Sequence, residues 1–347
     1  MAEVFPAESS QGEAIEIRPY QPGDEDSIVE GWNAVFPAQD GLAERDLAYW
    51  RWQFEQNTLA RTEVAVAIAG GRVVGQYAAV PQRALDEGGE ITTGLVVDAF
   101  VLPEYRRAGS RPGIIIHLAR DLHDCWCGPR ARLVDRGHSL LYGYPFPIWR
   151  IAQRHLASEI VRDMDVLFSE IAVPGFVPVA SPNDVEVVEI DDVVAAADAV
   201  WASVVAETRF GLVRDGRYLD WRYVRHPQKR YRVFLARGAD GVPRGLAVYH
   251  QGRYTVDAGI VCDWIVPAAD EAAENALLAA LQARAAEDGT PVLLSVFPQN
   301  DPRFLRWQRK GFLVGPPSHF LVMNTFGHHV RYLRDRWFFT LGDSDLV

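Results

Sequence analysis

The chain repeats itself, and that repeat constrains the fold more than any single motif does. Asp46-Leu47-Ala48-Tyr49-Trp50-Arg51-Trp52 precedes the apolar run 64–80, and Arg217-Tyr218-Leu219-Asp220-Trp221-Arg222-Tyr223 precedes the run 231–249. In each run two β-branched stretches are broken by glycine, at Gly70-Gly71 and at Gly238-Ala239-Asp240-Gly241, which predicts a hairpin. Val97-Asp98-Ala99-Phe100-Val101-Leu102-Pro103 is then answered by Cys262-Asp263-Trp264-Ile265-Val266-Pro267. Both read as an apolar strand that carries one aspartate and stops at proline. An amphipathic helix follows each, starting near Ser110–Pro112 with Ile114, Ile115, Leu118 and Leu122 on one face, and over 271–287 with Leu277, Leu278 and Leu281 inward. Another strand and another helix complete each copy. At 347 residues, each half is long enough to bury its own core. The expected organisation is an α/β (mixed α+β) chain of two similar units, residues 12–173 and 184–347, joined by a proline-rich linker, 174–183.

Composition bears on partners and compartment. Thirty-five basic residues against 46 acidic ones give a net charge of −11, which argues against a nucleic-acid partner, since phosphate binding needs clustered Lys and Arg. No window holds the ~20 apolar residues of a spanning helix, so no membrane partner is expected. The acidic start of the chain lacks a basic-then-apolar leader, and three cysteines make no disulfide framework, so the expectation is a cytoplasmic protein. Cys125-Trp126-Cys127 is too tightly spaced for a zinc pair, and His328-His329 lacks i, i+4 spacing, so no metal is expected. Self-association to a homo-oligomer is left open.

Against this acidic background, the turn Tyr105-Arg106-Arg107-Ala108-Gly109-Ser110-Arg111-Pro112-Gly113 is basic. A strand that ends in such a turn and feeds a helix presents unpaired backbone N–H groups, and the helix dipole favours an anion there. Gly109 lets backbone approach a ligand, and Arg106 and Arg107 add charge-assisted hydrogen bonds. These features describe a pyrophosphate cradle.

Val101-x-Pro103-x-Tyr105-Arg106-Arg107-x-Gly109, set between an apolar strand and an amphipathic helix, resembles the acetyl-CoA signature of the GNAT N-acetyltransferase superfamily. The order of elements in both halves is similar to that family's fold, so the resemblance spans nearly the whole chain. It implies two tandem GNAT-like folds, each a central, mostly antiparallel sheet flanked by helices. It also implies acetyl-CoA, or another acyl-CoA, as co-substrate. Carried over by position, Arg106, Arg107, Ala108, Gly109, Ser110, Arg111 and Gly113 form the phosphate loop, and Ala99, Phe100 and Val101 the strand beside the pantetheine arm. One position departs from the pattern: Arg111 stands where the family has a second Gly or Ala. Either the loop is longer here or that side chain crosses the phosphate path. The second half, with Ala268-Ala269-Asp270-Glu271 at the matching junction, is not expected to take CoA in the usual way, and instead shapes a substrate cleft. Its Phe304-Leu305-Arg306-Trp307-Gln308-Arg309-Lys310-Gly311-Phe312 resembles the family's last helix.

The activity implied is bacterial N-acyl transfer to the primary amine of a small molecule, an amino sugar or amino-acid derivative. Direct attack needs a base for the ammonium and a proton donor for the departing thiolate. Asp98, on the strand beside the cofactor arm, is the candidate base, and its counterpart Asp263 favours instead a structural role shared by both copies. The family often places a tyrosine near the last helix, which makes Tyr144, and after it Tyr142, the candidate acid. Two other readings stand beside this one. The first is a tRNA-dependent Fem-type aminoacyl or peptidyl transferase; the second is a ligand-binding protein that kept the fold and lost the chemistry.

Overall fold

A computed structural model describes residues 3–8, 13–38, 43–87, 89–106, 112–127, 137–145 and 150–347. The chain forms two compact units, and neither is a simple half of the sequence. One holds residues 1–83, 91–161 and 321–330; the other holds 84–90, 162–320 and 331–347.

In the first unit, strands β1 (Glu3–Glu8), β2 (Ala14–Pro19), β3 (Glu63–Ala69), β4 (Arg72–Asp86), β5 (Gly89–Val101), β6 (Leu140–Gly143) and β7 (Glu159–Asp163) share one sheet. Its order is β1-β2-β3-β4-β5-β6-β16-β7, where β16 (Phe320–Thr325) arrives from the far end of the chain. Gly70 and Gly71 both have positive φ, 56° and 76°, the two-residue turn whose twist suits a β3–β4 hairpin. The helix Ile114–Trp126 lays Ile114, Leu118, Ala119 and Leu122 against Ile15, Ile17, Ala65, Ala67 and Val101 of the sheet. That apolar stripe at 3.6-residue spacing is what the sequence predicted. The helix begins at Ile114 with Gly113 at its N-cap, so Pro112 precedes the first turn rather than opening it.

The second unit repeats the plan. Strand β8 (Val166–Glu170) joins β9 (Val185–Ile190), β11 (Arg232–Gly238), β12 (Pro243–Arg253), β13 (Asp257–Ile265), β14 (Val292–Val296) and β15 (Leu313–Gly315) in the order β15-β8-β14-β13-β12-β11-β9. The short β10 (Phe210–Leu212) pairs with residues 84–86. Thus β16 fills a place in the first sheet that β8 fills in the second. The proline-rich stretch 174–183 lies along the second unit, with Phe176 and Val179 against its core and Val179 N donating to Gln282 at 2.8 Å. The helix Glu271–Glu287 buries Leu277, Leu278 and Leu281 under β11–β13.

The two copies stay in step along their long strands. Gly94 faces Leu141 across β5–β6, and Gly259 faces Leu293 across β13–β14, the two parallel pairings of these sheets. Gly75 packs under Val101 and Leu118, as Gly245 packs under Val266 and Leu277.

Helix starts are also shared. Asp46 accepts from Tyr49 N at 2.7 Å and caps the helix Leu47–Phe54, and Asp215 accepts from Tyr218 N at 3.0 Å and caps the helix Gly216–Leu219. Gly216 is a close approach: a Cβ there would stand 2.5 Å from the Val194 carbonyl oxygen, which is backbone of the helix Val194–Val204 and cannot turn aside. Gly216→Ala is therefore expected to destabilise the second unit by about 1–3 kcal/mol. A lowered urea midpoint at unchanged slope checks this.

Candidate functional site

Each long strand carries its aspartate at the same register, and each aspartate binds an arginine that directly precedes a helix N-cap. In the first unit Arg45 pairs with Asp98. Gln53 Nε2 donates to the same carboxylate at 2.9 Å, and Gln76 Nε2 donates to the Asp98 backbone carbonyl at 3.0 Å. Arg45 is itself held in place. Asn33 and the Arg45 backbone exchange two hydrogen bonds of 2.9 Å, and the guanidinium sits 4.2 Å from the ring centres of both Trp32 and Tyr49.

Asp98 has φ +51°, so β5 is kinked at this residue rather than running straight through it. Aspartate tolerates the left-handed region better than most residues, at a cost of roughly 1–3 kcal/mol. The Arg45 and Gln53 bonds offset that cost. They aim the carboxylate into a cleft lined by Ile28, Val29, Trp32, Tyr49, Trp50 and Gln76.

The described pairing between β5 and β6 is short. Pairing of β5 with β6 runs from Thr93↔Leu140 to Leu95↔Tyr142, while β5 continues to Val101. Ala99, Phe100 and Val101 extend past the last described β6 partner. Arg106 Nε donates to the Val101 carbonyl at 3.0 Å. Gly113 has no side-chain cap bond, and a Cβ added there would meet nothing within 4 Å. Arg107, Ala108, Gly109, Ser110 and Arg111 lie outside the described residues.

Tyr142 is buried in β6 opposite Met323, and Tyr144 follows the strand's end. Their rings meet edge to face at 6.0 Å. Among the described residues no group of three His, Cys, Asp or Glu is placed to hold a metal ion.

The second unit builds the same pair and buries it. Arg214 Nε donates to Asp263 Oδ1 at 2.8 Å, and a second carboxylate, Asp343, pairs with the same guanidinium. Tyr223 and Thr340 donate to Asp263 at 3.0 Å each. Side-chain exposure falls from 13% and 6% for Arg45 and Asp98 to 1% and 0% for Arg214 and Asp263. The strand divergence is likewise occupied. Trp264, Phe297 and Trp307 pack there with ring centres 4.8–6.5 Å apart, and Arg303 donates to the Val266 carbonyl at 2.6 Å. The following helix is capped by Asp270, which accepts from Ala273 N at 3.0 Å and is clamped by Arg244. Glu274 in its first turn is buried, which opposes its charge. Bonds from Arg306 and Lys310 outweigh that and hold its carboxyl below the usual range.

The fold is a duplicated α/β plan in which the same arginine–aspartate pair borders a small, largely apolar cleft in one unit and is sealed in the other. Residues 16–150, nearly the whole first unit before β7, match the acetyltransferase (GNAT) domain family. Three solved structures share the fold over most of the chain. A conserved protein from Enterococcus faecalis V583, described as a probable N-acyltransferase, is 15% identical with a TM-score of 0.64, covering 92% of this chain and 74% of its own. A GCN5-related N-acetyltransferase from Kribbella flavida is 15% identical with a TM-score of 0.62 (91% and 72% covered). One from Anabaena variabilis ATCC 29413 is 12% identical with a TM-score of 0.64 (89% and 72% covered). No curated protein matches. Residues 16–150 are thus similar to a GNAT acetyltransferase domain, and the whole chain shares its fold with these structures.

Arg45, Gln53 and Gln76 were not singled out from the sequence. The signal was present, because Arg45-Asp46 and Arg214-Asp215 stand at matching places before the two aromatic helix segments.

Burial pushes the Asp343 carboxyl up to about 7, with Arg214 opposing and Asp263 reinforcing the rise. A folded value above the unfolded 3.8 means that the folded chain holds a proton the unfolded chain has released. The stability from this group is complete below the lower value and is lost as pH rises through the upper one. Asp343→Asn is expected to flatten the pH dependence of the urea midpoint between about pH 4 and pH 7, while wild type loses stability from this group over that window. Parallel curves would contradict it.

Proposed function

We propose that the first unit is an acyl-CoA-dependent N-acyltransferase that moves an acetyl group from acetyl-CoA to the primary amine of a small molecule. The observation that carries this reading is the placing of two features on one strand. The described β5–β6 pairing ends at Leu95↔Tyr142, short of Ala99–Val101, and Asp98 of the same strand lines a small cleft. A donor and an acceptor that meet across a single strand need only be brought within reach, which supplies much of the rate by proximity.

The residues present suit a CoA arm. Ala99, Phe100 and Val101 offer backbone groups along the notch. Arg106, the Gly113 cap and the first N–H groups of the helix Ile114–Trp126 offer positive charge at its end. CoA, when bound, supplies an activated acyl group and a thiolate leaving group.

The chain's own residues do the rest. Asp98 receives the ammonium entering the cleft and takes its proton, with Arg45 and Gln53 keeping the carboxylate in one orientation. Tyr144, just past the end of β6, is the proton donor on the cofactor side, with Tyr142 packed against it.

Calorimetric titration of the whole chain with CoA tests the donor site. Arg106→Ala and Gly113→Glu are each expected to weaken binding about tenfold or more, the first by removing a cation and the second by placing a carboxylate at the helix start. Gly113 has φ −68°, and a Cβ there would meet no described atom within 4 Å, so the backbone accepts a side chain at this position. Unchanged affinity in both would move the donor elsewhere. Asp98→Asn should leave CoA affinity intact and lower kcat/KM by roughly 10²-fold or more, measured by thiol release. Equal losses of CoA binding and turnover would make Asp98 structural.

A further inference from the structure

One charge in the second unit is out of balance. Two carboxylates, Asp263 and Asp343, pair with the single guanidinium of Arg214, and all three side chains are sealed from water. Arg222, the other buried guanidinium of this region, spends its bonds on Ser344 O, Val347 O and Tyr231 OH. One positive charge does not balance two negative ones in a dry site, so a group of this kind retains a proton.

The donors show where that proton resides. Asp263 accepts from Arg214 Nε at 2.8 Å, from Trp264 N at 2.9 Å, and from Tyr223 OH and Thr340 Oγ1 at 3.0 Å. Four close donors hold Asp263 ionised, which leaves the proton to Asp343. Burial acts in the same sense and pushes the Asp343 carboxyl up. Of the groups facing that carboxyl, Arg214 opposes the rise and Asp263 adds to it; the Trp337 indole donates to it at 3.4 Å, and the Tyr218 hydroxyl stands beside it.

Asp343 belongs to a segment, 340–344, that lies directly on the arginine–aspartate pair. A Cβ at Gly342 would overlap Tyr223 OH and stand 3.1 Å from Asp263 Oδ2, so the backbone passes too close for any side chain. Tyr218 OH donates to the Gly342 carbonyl and Arg222 to the Ser344 carbonyl, each at 3.0 Å. The first unit shows the same pair without a third charge, since Arg45 and Asp98 border a cleft at 13% and 6% exposure. An ionised Asp343 that leaves Arg214 would likewise leave a pair of matched charge behind.

We infer that residues 340–344 are a proton-gated latch: a proton on Asp343 locks the segment over the Arg214–Asp263 pair, and loss of that proton frees it. The closed latch holds a proton that the open segment has released, so opening rises with pH. A carboxyl at about 7 puts the change around neutral pH. The latch concerns the second unit alone and stands whether or not the first unit is an acyltransferase.

Native-state hydrogen exchange of the whole chain, read by mass spectrometry between pH 6 and pH 8, tests it. After correction for intrinsic rates, opening of peptides within 338–347 is expected to rise roughly tenfold over that range, while peptides of β11 and β12 stay level. Asp343→Asn keeps the shape of the neutral acid and should hold the segment shut throughout. Carbon-13 labelling of aspartate follows the Asp343 carboxyl itself in the wild-type chain, where it should titrate near neutral pH, whether or not the variant folds. Titration in the ordinary carboxylate range, level exchange across the range, a rise that persists in Asp343→Asn, or a rise shared by the whole second unit would each overturn the latch.

Discussion

An arginine placed one residue ahead of a helix N-cap, bonded to an aspartate in a central strand of its sheet, organises both halves of this protein. A buried ion pair is not stabilising by default, because desolvation cancels much of the attraction and only added hydrogen bonds tip the balance. Both pairs have them: Gln53 on Asp98, and Tyr223 and Thr340 on Asp263. Together with those bonds, the pair ties a short helical segment to the strand. Helix position therefore follows strand position, and the cleft beside the pair has fixed walls.

From that common frame the two copies diverge by what they put into the same spaces. In the first, the described β5–β6 pairing ends at Leu95 and the next helix starts at Gly113, which has no side chain to cap it. The second packs the equivalent divergence with Trp264, Phe297 and Trp307, and starts its helix at an aspartate clamped by Arg244. A helix N-terminus can satisfy its dipole with its own carboxylates or leave it for an anion from outside. The same opposition appears at the ion pair, exposed to a cleft in one unit and sealed in the other. The copy that fills these places gains core packing.

Much of this was legible in the residues. Spacing alone marks the hairpin at Gly70-Gly71, the face of the helix bearing Leu118 and Leu122, and the repeat of the aspartate-bearing strand, because local backbone preference and burial periodicity act over a few neighbouring positions. The basic turn at Arg106 is legible for the same reason. The partners of Asp98 were not, although Arg45 and Gln53 directly flank the aromatic segment 46–52. A pair separated by fifty-three positions in sequence is a product of sheet order and helix placement, to which a linear pattern is blind.

What the sequence by itself determined is the kind and number of the units: two α/β copies, the first with a cationic strand-to-helix turn and the second with an acidic one. What tertiary structure alone decided is which strand completes which sheet, with β16 in the first unit and β8 in the second, and which aspartate faces a cleft. The physical reason is range. Turn, cap and amphipathic face are settled by contacts within a turn or two of the chain, whereas strand order and burial of a charge depend on distant segments whose closure entropy is recovered only when the whole unit packs.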